Sequence, residues 1–449
     1  MKKLLIPLLL ALLLTGCGKS RTVPSAAVET PEPTAEVTAP PLYTVRYTVN
    51  GEIVRSETLE DGGTPAGAAV EGGFRCWLDP AGNVVRPETV EIHADLELTA
   101  AFVPALNDGR GAFEPDRDGL FRPDAEFTRS DAVRLVYNLL QNKPATEVFL
   151  ADVTTAAACY KAASTLAAAD YFPLDEGKFY PDVPIALGDL AALLERIFPV
   201  TAVDAALSHC ELPLTRGGAA MLFAELLGLQ SGAADYPDVP RDHPCYAAVS
   251  ALGGGSRDWG SRQGFLHLNG RLFCFDENGY FIKDTDLGSL HFGSDGAYTS
   301  GDELLDAMVA KVLRNKVEPV GDREEALKKA YLYVRDSFLY LRRNYYEVGE
   351  TGWEIDEART MMETGKGNCY NFTGTFWALA RALGYDAKCV SGLVGHEADP
   401  HSWVEIPFED GVTYIFDPET EMSYRLKDQY FNCFKMTYEE GQFWTYYRG

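Results

Sequence analysis

Residues 365–417 constrain this chain more than any other stretch, because three chemistry-bearing side chains there are each placed by a different local signal. Cys369 follows Gly365-Lys366-Gly367-Asn368 and opens a run with apolar residues at Phe372, Phe376, Trp377, Ala380 and Leu383. That spacing predicts a helix closed by Gly384. Cys369 then sits at the helix N-terminus, where unpaired N–H groups and the dipole favour thiolate over thiol. Residues 387–394 alternate as a strand. His401 opens a second strand, His-Ser-Trp-Val-Glu-Ile, and Asp417 closes a third, Val-Thr-Tyr-Ile-Phe-Asp.

The turn between the last two strands decides whether His401 and Asp417 share a face, because side chains alternate along a strand. A two-residue turn at Asp410-Gly411 pairs Val404 with Asp417 and turns the carboxylate away. A three-residue loop, Glu409-Asp410-Gly411, pairs Trp403 with Asp417 and sets Asp417 diagonal to His401. Such loops want glycine third, in the left-handed conformation, and Gly411 is there. The sequence therefore predicts the productive register.

The ordered motifs G-x-G-x-C before a helix, H-S-W-V-E on a strand and F-D-P after a hairpin resemble the transglutaminase-like branch of the papain-type cysteine enzymes. The resemblance covers roughly the last third of the chain. It implies Cys369 as nucleophile, His401 as base and Asp417 as the group orienting the imidazole. It implies acyl transfer to water or to an amine, with a peptide or protein substrate and no cofactor or metal. The Cys369 backbone N–H is a candidate share of the oxyanion site.

A chain of 449 residues is too long for one ordinary domain. Residues 1–14 carry two lysines and then an apolar run, a secretory signal. Its end, Leu14-Thr15-Gly16-Cys17, resembles a bacterial lipoprotein box, which implies cleavage before Cys17, a lipid on its sulfur and a membrane anchor at the outer face. The net charge of −26 excludes nucleic acid as a partner, since phosphates would be repelled. Among nine cysteines none forms a C-x-x-C pair, so neither a thiolate zinc site nor a thioredoxin-like motif is expected. Seven scattered cysteines outside positions 17 and 369 read as small buried apolar residues, with a Cys389–Cys433 bridge left open.

The expected architecture is multi-domain. Residues 18–41, rich in Pro, Thr, Ala, Ser and Glu, form a flexible linker. Residues 42–103 read as a small all-β unit with a hairpin at Asn50-Gly51, resembling the extracellular β repeat of bacterial surface proteins. Residues 104–255 repeat the phrases Phe121-Arg122-Pro123-Asp124, Phe179-Tyr180-Pro181-Asp182 and Tyr236-Pro237-Asp238-Val239 between α-helical segments. They resemble S-layer homology (SLH) repeats, which implies a three-lobed helical domain binding a secondary cell-wall polymer. The family's motif there is Thr-Arg-Ala-Glu at a helix start. Thr128-Arg129-Ser130-Asp131 is close to it, Ala186-Leu187-Gly188-Asp189 lacks the arginine, and Thr215-Arg216-Gly217-Gly218 lacks the acid. The resemblance implies wall-polymer binding at Arg129 and Arg216; the plainer alternative is a scaffold that has lost its ligand.

Residues 256–301 carry two aromatic hairpin units resembling choline-binding-type wall repeats, read as a spacer. Residues 302–449 form the α+β transglutaminase-like (papain-type) domain, with a helical run over 302–343. His396 competes with His401 but lies in a loop. The predicted activity is hydrolysis of a peptide or amide rather than crosslinking. The rival class is a non-catalytic wall-binding or adhesion protein that keeps only the fold.

Overall fold

The computed structural model describes residues 39–255, 259, 262–319, 321–343, 345–440 and 445–448; the signal segment, Cys17 and most of the linker lie outside them. No helix among the described residues is long and apolar enough to cross a membrane.

The N-terminal unit is one sheet of strands β1 (Leu42–Val49), β2 (Glu52–Glu60), β3 (Phe74–Leu78), β4 (Val84–Val85) and β5 (Leu96–Phe102), in the order β2-β1-β5-β3-β4. Asn50 and Gly51 both take positive φ, 49° and 87°, as a two-residue hairpin turn requires. Val45, Tyr47, Trp77 and Leu98 are its core. Arg86 fixes it to the next unit through Glu195 and Asp204, each at 2.9 Å.

Six helices follow: α1 (Arg129–Leu139), α2 (Tyr160–Ala168), α3 (Leu187–Leu194), α4 (Val200–Leu207), α5 (Arg216–Leu227) and α6 (Tyr246–Leu252). They share a core that includes Phe121, Phe127, Val136, Phe179 and Phe223. The repeated phrases interlock. Asp152 accepts the N–H groups of Phe179 and Tyr180 at 2.8 and 2.6 Å, and Asp238 those of Phe121 and Arg122 at 3.2 and 2.6 Å. The helix starts are chained in the same way. Arg216, first residue of α5, pairs with Asp131, third of α1; Arg129, first of α1, pairs with Asp189, third of α3, at 2.8 Å. By the same rule the first residue of α3 would pair with the third of α5, and those are Leu187 and Gly218. The two departures from the repeat pattern are thus the two halves of one absent ion pair.

The C-terminal unit begins with short hairpin strands, β6 (Phe265–Leu268), β7 (Arg271–Cys274), β8 (Thr285–Leu287), β9 (Leu290–Phe292) and β10 (Tyr298–Thr299). They do not form the separate spacer expected from their period. Leu272, Leu290 and Phe292 join the core of the following helices, and His267 Nε2 meets the Ala382 carbonyl at 2.9 Å. A sequence period shows that units repeat, but not which face is buried or against what.

Helices α7 (Glu303–Val312) and α8 (Arg323–Ser337), strand β11 (Leu339–Tyr340), helix α9 (Glu354–Thr364), strand β12 (Lys366–Gly367) and helix α10 (Cys369–Ala382) come next. The helical run expected to Arg343 stops at Ser337, because residues 339–340 pair with β12 in parallel. Helix α10 is central: thirteen of its fourteen residues are buried, Asn371, Thr373 and Thr375 among them. Its polar members are therefore bonded inside, Thr375 to the Asn371 carbonyl at 2.7 Å and Thr373 to Ser402 at 2.9 Å. Gly374 lets α9 approach, since a Cβ there would lie 2.7 Å from the Glu354 carbonyl oxygen.

The final sheet contains β13 (Lys388–Val394), β14 (Asp399–Pro407), β15 (Thr413–Phe416) and β16 (Tyr446–Tyr447), in the order β15-β14-β13-β16. A last helix, α11 (Pro418–Arg425), follows β15 directly.

Candidate active site

The hairpin between β14 and β15 has the three-residue loop predicted from sequence. Val404 pairs with Phe416 and Pro407 with Thr413, the Phe408 N–H donates to the Val412 carbonyl at 2.9 Å, and Gly411 takes φ +81°. This register carries Asp417 to the His401 face, and His401 Nε2 lies 2.7 Å from Asp417 Oδ2.

Asp417 does more than close a strand. It is the N-cap of α11, its Oδ1 accepting the Thr420 N–H at 2.9 Å, with Pro418 in the first helical position. A capping carboxylate is held by the helix it starts, so the orientation of Asp417 is fixed from both sides. Its main-chain carbonyl accepts from the Tyr331 hydroxyl at 3.0 Å. The same hydroxyl proton is shared with Glu421, 2.8 Å away, and Glu421 is paired with buried Arg335 at 2.5 Å. Sequence reasoning missed α11 and these supports, although Asp-Pro-Glu-Thr-Glu is a legible helix start.

Cys369 opens α10 as predicted, is 2 % exposed, and packs with Trp353 and Tyr370. The loop before it is fixed by side-chain bonding: the Asn368 N–H donates to the Asn371 side-chain oxygen at 2.9 Å. Gly367 has no room for a Cβ against that same Asn371 side chain.

Burial alone would drive the proton off His401, but Asp417 and then the Cys369 thiol outweigh it and hold the imidazole well above its ordinary range. Burial would raise Asp417, yet the His401 charge and the Thr420 N–H keep its carboxyl low. With Nε2 committed to Asp417, Nδ1 is the nitrogen left for the thiol. Glu419 stands 3.9 Å from Nδ1; burial and then nearby Asp417 raise its carboxyl, which favours the neutral acid. His401, Asp417 and Glu419 offer ligand atoms within 4.8 Å of one another. His396 lies in the exposed turn after β13, away from this arrangement.

A second Cys–His–acid set exists in the helical unit and shows what proximity alone does not give. Cys245 Sγ lies 3.0 Å from His243 Nδ1, and His243 Nε2 lies 3.4 Å from Asp124. Burial and then Asp124 push the Cys245 thiol up to about 12, and Asp124 itself is largely exposed. An inert buried thiol results. Among the described residues all eight cysteines are free thiols, Cys389 and Cys433 included.

Arg129 and Arg216 are placed away from this site and are committed within the helical unit. Arg216 is 3 % exposed; its side chain donates to the Phe121 and Glu114 carbonyls at 2.7 and 3.1 Å and pairs with Asp131. Arg129 donates to the Phe179 carbonyl at 2.8 Å and lies 4.3 Å from the Phe172 ring centroid.

Residues 310–418 match the family model described as the transglutaminase-like superfamily. Curated proteins give no match. Among solved structures, a candidate cysteine protease from Cytophaga hutchinsonii is 21% identical with a TM-score of 0.20, covering 24% of this chain and 35% of that one. The periplasmic domain of TgpA from Pseudomonas aeruginosa is 16% identical with a TM-score of 0.20, covering 37% of this chain and 68% of that one. Overlaps this small bear on neither activity nor location. The family match, the helix-borne cysteine and the strand-borne histidine agree, and residues 310–418 are a transglutaminase-like domain.

Proposed function

We propose that the C-terminal unit is a cysteine enzyme acting by acyl transfer, with Cys369 as nucleophile, His401 as base and acid, and Asp417 orienting the imidazole. The observation that carries this reading is the 2.7 Å bond between His401 Nε2 and Asp417, which leaves the other ring nitrogen for the thiol. An ordinary cysteine thiol, near a pKa of roughly 8.5, is mostly protonated at neutral pH; an adjacent imidazolium stabilises the thiolate. The Cys369 sulfur attacks the carbonyl carbon of a peptide or amide, and His401 passes its proton to the departing amine. Water then adds to the thioester with His401 taking its proton, and the carboxylic acid leaves as the thiol is restored. No cofactor enters these steps.

Hydrolysis is the proposed outcome over crosslinking, and a peptide or protein the proposed substrate. A glutamine peptide offered with a labelled amine tests the choice: release without incorporation supports hydrolysis, incorporation supports transfer, and Cys369→Ser abolishes both. The non-catalytic alternative draws on the 2 % exposure of Cys369, and it stands if Cys369→Ser changes nothing.

The N-terminal signal and Cys17 motif support a lipid-anchored protein on the outer face of the membrane. Binding of a wall polymer by the helical repeats is proposed only for surfaces other than the buried Arg216 guanidinium. Pull-down on purified cell wall with Arg129→Ala as control tests it.

A further inference from the structure

We infer that Tyr446 is a positioning residue for the proposed catalytic pair, its hydroxyl sharing Asp417 Oδ2 with His401 and so setting how strongly that carboxylate holds the imidazole. Tyr446 lies 28 residues beyond the end of the family match at 418, on the short strand β16. Its hydroxyl donates to Asp417 Oδ2 at 2.7 Å, the same length as the His401 bond to that oxygen. Asp417 is 1 % exposed, and its charge is met by His401, the Tyr446 hydroxyl, and the N–H and hydroxyl of Thr420.

Strand β16 is built to hold this contact. Val394 and Leu393 of β13 pair with Tyr446 and Tyr447, and Arg448 reaches buried Glu405 at 3.0 Å. The Tyr446 ring stands edge-on to Trp403 at 5.0 Å and 6.3 Å from the His401 ring. Gly392 has no room for a Cβ against Trp403 and the Tyr447 carbonyl, which keeps β16 close. Burial and then Asp417 hold the Tyr446 hydroxyl well above its ordinary range, so it remains a donor.

A donor on Asp417 Oδ2 draws charge from the carboxylate and weakens its grip on the imidazolium. Without it, Asp417 holds the His401 proton harder, and the imidazolium gives that proton less readily to a leaving amine. The other groups around the pair stay in place when the hydroxyl is removed: Cys369 and Tyr370 on α10, Glu419 and Glu421 on α11, Tyr331 on α8, and Cys433. The catalytic consequence rests on the acyl-transfer reading; the effect on His401 does not.

The test is NMR titration of His401 in the full chain, its signal identified with His401→Gln. Tyr446→Phe keeps the ring packing and removes the hydroxyl; Tyr438→Phe is the control, since Tyr438 bonds Trp403 and Glu405 in the same sheet without touching Asp417. Tyr446→Phe is expected to strengthen His401 proton binding about threefold or more, and Tyr438→Phe to leave it unchanged. A His401 titration unmoved or lowered in Tyr446→Phe, or moved equally in Tyr438→Phe, overturns the inference. The readout needs no substrate, so it stands even if Cys369→Ser shows that the domain has no activity.

Discussion

Replacing Asp417 with asparagine separates the two duties of this side chain. Asparagine still accepts the Thr420 N–H as an N-cap, so α11 keeps its start. What disappears is the charge beside His401, and burial is then left to pull the imidazole down. A hydrogen bond to a charged group contributes about 1.5–3 kcal/mol, which corresponds to about 1–2 pKa units. The sign follows: the wild-type imidazole keeps its proton to high pH, whereas the variant loses it about 1–2 units lower. The assay is site-resolved carbamidomethylation of Cys369 across pH. In Asp417→Asn the rate near pH 6 should be about 10–100-fold slower than in wild type, because the imidazolium beside the sulfur is lost about 1–2 units earlier. Asp417→Ala should alkylate as slowly and additionally lose about 1 kcal/mol of stability with the cap. Matching pH profiles for wild type and Asp417→Asn would refute the reasoning.

Two further predictions concern the helical unit. Arg216→Ala strands the buried Asp131 carboxylate and should cost about 3–5 kcal/mol, read as an earlier unfolding transition of that unit. Leu187→Arg with Gly218→Asp restores the absent third ion pair. A double-mutant cycle should show a favourable coupling of about 0.5–3 kcal/mol, and additive effects would mean that positions 187 and 218 do not face each other as the other two pairs do.

Much of the site was legible because its signals are local. The apolar spacing from Phe372 to Leu383 gave α10 and put Cys369 at its start, and Gly411 in third place gave the loop that sets Asp417 beside His401. The missing parts are of two kinds. Helix α11 has a local signal in Asp417-Pro418-Glu419, but the same Asp417 ends the strand pattern before it, and one residue can both end a strand and cap a helix. Tyr446 had none: it is one of many aromatics near the C-terminus, and only the pairing of β16 with β13 brings it to Asp417. The integration of the 265–299 hairpins into the C-terminal core was hidden for the same reason, since Leu272 and Phe292 bury against helices distant in sequence.

Cys369 and Cys245 offer the most direct test within one molecule. Both thiols are buried, both have a histidine and an acid nearby, and they differ in that the Cys369 histidine is bonded to a fully buried carboxylate. The measurement is the rate at which each is alkylated by iodoacetamide in the same native sample at neutral pH, resolved by peptide mass spectrometry. The predicted result is selective modification of Cys369, lost in His401→Ala, with Cys245 unmodified until the chain unfolds. Equal, slow modification of the two, unaffected by His401→Ala, would contradict the assignment of Cys369 as a nucleophile.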